Sequence, residues 1–204
     1  VSAIRPRRRR LCTDTALVQD DRVATAHQLK ITLKDVKPPV WRRVLVPSDY
    51  TLAQVQEALL TAMGWAGYHL ALFRIGSATY MDVDVDWPDD AIDPSTVRLG
   101  DLVRAGDRFA FEYDFGDGWR HQVVVEDVVP TLGKQRPVCL DGGRACPPED
   151  VGGPWGYGDF LDAIGDPQHD RHDELLEWIG GSFDPAAFDA AETDGIFAAL
   201  ADPT

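Results

Sequence analysis

Cysteine is scarce in this chain, and long apolar runs are missing from it. Among 204 residues the only cysteines are Cys12, Cys139 and Cys146. An odd and small number excludes a disulfide scaffold. The spacing of Cys139 and Cys146 is unlike the tight pairs of a structural zinc site, so reduced thiols are the expected state. No stretch approaches the roughly 20 apolar residues of a membrane span. Arg5 to Arg10 lead into Leu11-Cys12-Thr13-Asp14 and not into an apolar segment, so no secretory leader is expected and the expected location is the cytoplasm.

Positive charge is also in short supply. Twenty Lys and Arg face 34 Asp and Glu, a net charge of -14. From Asp141 onward, 15 acids are set against Arg144 and Arg171 alone. A body this acidic repels phosphate backbones, which argues against nucleic acid as a partner of the folded part. The exception is the leader, where Arg5, Arg7, Arg8, Arg9 and Arg10 occur without an acid. Such a run reads first as a solvated tail and second as a contact for nucleic acid.

What is present is the composition of a globular domain, 44% hydrophobic and 26% charged. Residues 1–26 lack hydrophobic periodicity and read as a flexible basic leader. Leu29, Ile31 and Leu33 alternate with Lys30, Thr32 and Lys34, the period of a half-buried strand, and Val40 to Val46 reads as its antiparallel partner. Leu52, Val55, Leu59 and Met63 recur at helical spacing behind possible caps at Ser48, Asp49 or Thr51, and Gly64 stops the helix. Strand-like stretches follow between His69 and Met81, with Leu70 and Leu72 expected inward. Residues 27–130 thus form an α+β core with a β-grasp-like mixed sheet and one packed helix. Residues 131–158 are rich in Pro and Gly and read as a loop. Residues 159–204 read as an acidic helical extension packed on the core, with helices at Asp159–Ile164, His172–Ile179 and Pro185–Leu200.

The densest segment is the hairpin Tyr113 to His121, together with Cys146-Pro147-Pro148-Glu149-Asp150-Val151-Gly152-Gly153. Phe109, Phe111, Tyr113 and Phe115 share one face of the first strand. A two-residue turn at Asp117-Gly118 would set them against polar residues. A three-residue loop, Gly116-Asp117-Gly118, sets Phe115 against Trp119, Tyr113 against His121 and Phe111 against Val123, and so collects the apolar side chains on one side. That register places Asp114 opposite Arg120.

Several motifs carry possible chemistry. Asp114, Asp117, His121, Glu149 and Asp150 could serve a metal-dependent hydrolase, with Asp114, Asp117, Glu149 and Asp150 holding the ion. The competing structural account has Asp117 stabilising its own turn, Asp114 pairing with Arg120, and Glu149 and Asp150 accepting backbone amides. Asp114-Phe115-Gly116 copies a kinase signature without the glycine-rich loop or catalytic loop that would give it meaning. Asp82, Asp84 and Asp86 have the opening spacing of a calcium loop but lack its glycine and its closing glutamate. Trp41 with Arg42 and Arg43, and Trp119, Trp155 and Tyr157, are candidate partner contacts, with Trp155 the most exposed and Trp41 placed on a sheet edge.

Taken together, Gln28-Leu29-Lys30-Ile31-Thr32-Leu33, Pro39-Val40-Trp41-Arg42-Arg43, Met63-Gly64-Trp65 with His69-Leu70, the Tyr113 to His121 hairpin, Pro147-Pro148-Glu149-Asp150 with Gly152-Gly153, and Gly156-Tyr157 resemble the plasmid ORF-three-like family, named from a Ri-plasmid open reading frame. The resemblance spans roughly residues 27 to 190. It implies a small protein of α and β elements, of unsettled biochemical function, associated with mobile elements and also labelled an insertion-sequence passenger TnpR. The residues do not support a resolvase. Ser48, Ser77, Ser95 and Ser182 lie in no cluster of arginines. The expectation is a non-catalytic module without a cofactor that binds a protein or peptide. The alternative is a metal-dependent phosphoesterase or nuclease-like hydrolase using the five residues named above.

Overall fold

The computed structural model describes residues 24–82, 90–131 and 136–201. The arginine run of the leader and Asp84 and Asp86 of the calcium-like spacing lie outside the described residues. Seven strands form one sheet: β1 (Thr25–Leu33), β2 (Trp41–Pro47), β3 (Ala71–Ile75), β4 (Ala78–Met81), β5 (Arg108–Tyr113), β6 (Trp119–Pro130) and β7 (Val138–Gly143), in the order β4-β3-β5-β6-β1-β2-β7. Every neighbouring pair of these strands is antiparallel. The mixed, β-grasp-like sheet expected above is therefore corrected to an antiparallel one. β1 lies between β2 and β6 and runs against both, so the sheet has no parallel pair at its centre.

Alternation decides which face is buried. Leu29, Ile31 and Leu33 of β1, Val44 and Val46 of β2, Phe109, Phe111 and Tyr113 of β5, and Trp119, Val123 and Val125 of β6 all point into the core. Helix α1 (Leu52–Met63) closes this face with Leu52, Val55, Leu59 and Met63. Its first end is closed by side chains and its last by backbone. Thr51 and Gln54 exchange a capping box, and Gly64 at φ 100° donates its amide to the last turn. The opposite face of the sheet carries Lys30, Arg43, Arg74, Arg108, Glu112, Arg120 and Gln122, as a solvated face requires.

A 3-10 turn (Pro94–Thr96) and the short helix α2 (Leu99–Leu102) precede β5. Helices α3 (Gly153–Gly165), α4 (His172–Trp178) and α5 (Ala190–Ala201) follow β7. Two elements stand where a loop over 131–158 was expected. β7 adds to β2, so Trp41 does not sit on a sheet edge. α3 starts six residues earlier than expected, with Pro154 in its first turn. Asp194 anchors α5 to β7, taking two hydrogen bonds from Arg136 at 2.8 and 2.9 Å and one from the Cys139 amide at 3.2 Å.

The hairpin keeps the expected face and changes the expected loop. Tyr113 pairs with Trp119, Phe111 with His121 and Phe109 with Val123, two residues away from the register read above. A shift of two preserves the side-chain faces. The loop now runs from Asp114 to Gly118 because Asp114 leaves the strand at φ 54° and caps the loop itself. Its Oδ1 accepts the amides of Gly116 and Asp117 at 3.0 and 3.3 Å, and its carbonyl accepts that of Gly118 at 2.6 Å. Arg120 consequently faces Glu112 and pairs with Asp35 at 2.8 Å instead of Asp114.

This loop is seated directly against the start of α3. Gly153 has φ +70°, and a Cβ there would fall well inside contact distance of the Asp117 carbonyl oxygen. Gly153→Ala is expected to cost about 2–4 kcal/mol through left-handed strain plus that collision. Gly158→Ala, in the same helix with open space around it, is expected to be neutral or stabilising by about 0.5–1 kcal/mol. Urea unfolding of the two variants checks the contrast. Equal stabilities would contradict the close approach.

Candidate functional site

The site is assembled from three segments that are distant in sequence. The first follows α1, where Trp65 turns back under the sheet. Its indole donates to the Pro147 carbonyl at 2.9 Å and packs 5.1 Å from the ring of Tyr113 and 5.7 Å from that of Trp119. The second is the Asp114–Gly118 loop. The third is Pro147–Gly153. Glu149 ties all three together: its Oε1 accepts the Ala66 amide at 2.9 Å and the Tyr113 hydroxyl at 3.1 Å. Asp117 completes the closure by accepting the Gly152 amide at 3.1 Å. Burial and the nearby Glu149 carboxylate push the Tyr113 phenol up to about 12, so it stays a hydrogen-bond donor throughout the ordinary pH range.

Of the five residues expected to converge, three do so around a sixth. His69 lies between the carboxylates, its Nε2 at 3.1 Å from Asp150 Oδ1, 3.6 Å from Asp114 Oδ2 and 3.9 Å from Glu149 Oε2. Ligand atoms of His69, Asp114 and Asp150 all lie within 4.8 Å of one another. Asp114 and Asp150 both occupy the left-handed region, at φ 54° and 58°, a conformation that Asp tolerates better than most residues. His69 went unnoticed as chemistry in the sequence. The signal for it was its place in the Trp65 to Leu70 motif, where the imidazole is the one group that could ligate a metal near neutral pH. Its neighbour Leu70, expected inward, is 42% exposed.

The other expected residues are elsewhere. Asp117 is directed at the Gly152 amide and not at His69. His121 is 2% exposed, its ring edge-on to Trp65 at 5.4 Å, with Nδ1 at 3.2 Å from the Phe111 carbonyl oxygen. Trp119 and Tyr157 are buried core residues, and Arg42 is buried with them. The Arg42 guanidinium donates to the carbonyls of Ala62, Trp41 and Gly143 at 2.8, 2.9 and 3.2 Å and stacks on Phe188. A surface contact is closed to all three, because their side chains are engaged inside the protein. Arg43 is partly buried and pairs with Glu126 at 2.6 Å beside Trp41. Trp155 stands out at 89% exposed.

Complete burial lowers the pKa of His121 to about 4. The unfolded chain therefore takes up a proton in mildly acid solution that the folded chain excludes. This contribution is fully present above about pH 6.5 and is lost as the pH falls toward 4, amounting to about 3 kcal/mol. His121→Gln is expected to flatten the fall in unfolding free energy between about pH 7 and pH 4.5 relative to the parent protein. Denaturant titration at several pH values reads this difference. Parallel curves for the two proteins would contradict it.

The chain is similar to other proteins. Residues 25–192 match the family model described as plasmid pRiA4b ORF-3-like protein. An uncharacterized protein of Sinorhizobium fredii, y4hQ, is 45% identical over 168 residues, spanning 81% of this chain and 87% of its own. The crystal structure of a protein of unknown function from Methanosarcina mazei Go1 superposes with a TM-score of 0.76 at 30% identity, covering 83% of this chain and 97% of its own. The chain belongs to the plasmid pRiA4b ORF-3-like protein family.

Proposed function

We propose that this protein is a non-catalytic interaction module whose partner is an acidic peptide segment of another protein. The observation that carries this reading is Trp155, presented to solvent at the rim of a groove lined by Lys34 and Lys37, which make no ion pair with any described residue. The groove is an open concavity of about 1020 Å³ between the Lys34–Lys37 turn, the hairpin residues Asp117 to Arg120, and Pro154-Trp155 of α3. It continues through Lys34, Asp35 and Arg120 into a second hollow of about 600 Å³ over the solvated sheet face, beside Arg74, Arg108 and Gln122.

Charge selects the partner. The acids in this region are already engaged: Asp35 with Arg120, Glu112 with Arg74 at 2.8 Å, and Asp117 with the Gly152 amide. Lys34, Lys37 and Arg108 make no ion pair with any described residue. A chain of net charge -14 that leaves Lys34 and Lys37 without an ion pair among the described residues beside an exposed indole, and Arg108 likewise in the adjoining hollow, is complementary to a carboxylate-bearing segment with an apolar anchor. The acidic remainder of the surface repels long polyanions, which favours a short peptide over nucleic acid.

Fluorescence anisotropy with short labelled peptides, rich in Asp and Glu and carrying one Leu or Phe, tests the reading. Binding is expected to weaken with salt, to drop at least about tenfold in Lys34→Glu/Arg108→Glu, and to lose about 2 kcal/mol in Trp155→Ala. Equal binding of basic peptides, full binding by the double variant, or preferential binding of single-stranded RNA would contradict it.

A further inference from the structure

We infer that His69, Asp114 and Asp150, assisted by Glu149, form a binding site for one divalent transition cation of the zinc or manganese type. The inference is independent of the groove at Trp155.

The first ground is spacing. Two ligands held about 2.1 Å from a tetrahedral centre lie about 3.4 Å from each other. The separations from His69 Nε2 to the three carboxylates, 3.1, 3.6 and 3.9 Å, bracket that value. They do not match the 2.7–2.9 Å of charge-assisted hydrogen bonds. The second ground is an orphaned donor set. His69 Nε2 is shielded from solvent and makes no hydrogen bond, although three carboxylates surround it. The Asp114 side chain is nine-tenths buried and commits Oδ1 to two backbone amides, leaving Oδ2 turned toward His69 without a hydrogen bond. A buried imidazole nitrogen without a hydrogen bond, facing carboxylate oxygens, is what a shared cation would satisfy.

The third ground is charge. None of the ion pairs that lysine or arginine makes among the described residues involves Asp114, Glu149 or Asp150, so His69 is their only basic neighbour within 4 Å. Three carboxylates this close together repel one another, and a divalent ion offsets that repulsion more fully than a single imidazolium. The donor set identifies the class of ion. One imidazole with two or three carboxylates suits zinc or manganese, whereas calcium and magnesium favour oxygen ligands alone. His69 follows α1, Asp114 belongs to the hairpin loop, and Glu149 and Asp150 precede α3. An ion there cross-links the three segments and stabilises the folded state by mass action.

The test uses the full chain stripped with chelator and dialysed. Zinc and manganese chlorides are titrated separately by calorimetry, and thermal melting is recorded with and without each metal. One ion per chain and an upward shift of the melting temperature are expected. Asp150→Asn is the decisive variant. Asp150 is exposed, and Asn accepts its left-handed backbone, so the metal-free fold is expected to be unchanged. Its affinity for the metal is expected to fall at least tenfold, and His69→Gln is expected to do the same. Absence of both heat and melting shift with either metal would overturn the inference. So would binding that persists undiminished in both variants, which marks adventitious surface association.

Discussion

Closure of the Pro147–Gly153 segment onto the β5–β6 hairpin is the constraint on which the rest of this structure depends. It is made almost entirely of hydrogen bonds between side chains and backbone. The Trp65 indole holds the Pro147 carbonyl, Glu149 holds the Ala66 amide and the Tyr113 hydroxyl, and Asp117 holds the Gly152 amide. Such bonds stabilise by only about 1 kcal/mol each, but losing one partner leaves a buried polar group unmatched at a cost of about 1–3 kcal/mol. The glycines at 152 and 153 are needed because the chain turns left-handed there while running against the Asp117 carbonyl. The closure fixes where α3 begins. The position of α3 places Trp155 on the groove rim, and the same closure brings Asp150 beside His69.

The acidic residues consequently have two faces. One oxygen of Asp114 and one of Glu149 shape the polypeptide by accepting amide hydrogens, and the second oxygen of each is turned toward His69. Structural and binding roles do not compete at these positions, because a carboxylate has enough lone pairs for both. The separation between sites is also physical. The cations of the groove and the carboxylates around His69 share no residue, and of the two acids of the hairpin loop Asp117 is bonded to the Gly152 amide whereas Asp114 is the one near His69.

Much of the fold was legible because alternation is a strong signal where one face is buried. The strand carrying Leu29, Ile31 and Leu33, its partner over Val40 to Val46, the helix stopped by Gly64, and the apolar face of the hairpin all follow from period and punctuation, whereas the start of β1 at Thr25 falls in what read as the leader. The hairpin loop length was not legible. Phe115 extended the apolar pattern by one more alternate position, and nothing in the pattern registers that the Asp114 side chain can cap a five-residue loop. β7 was hidden because Val138-Cys139-Leu140 is short and runs into Gly142-Gly143. The start of α3 was hidden by three glycines among six residues, which have low helix propensity; Pro154 was the available marker. At the site, the acids were identified from their density, and the histidine grouped with them, His121, is not the one that lies beside them. His121 is near Asp117 in sequence, but its position in β6 turns it into the aromatic core. His69 is 45 residues from Asp114, and only the antiparallel pairing of β3 with β5 brings them together.

Native-state hydrogen exchange at Ala66, Gly116 and Gly152 tests the closure most directly. These amides lie near or at the surface; Ala66 and Gly152 are held by side chains of other segments, and Gly116 by Asp114 within the hairpin loop on which the closure is seated. A cooperative closure requires all three to exchange through one opening, with similar protection that collapses together in Glu149→Ala. Unprotected exchange at Gly152 and Ala66, or loss of protection confined to Ala66 in that variant, would show three independent contacts and contradict the account.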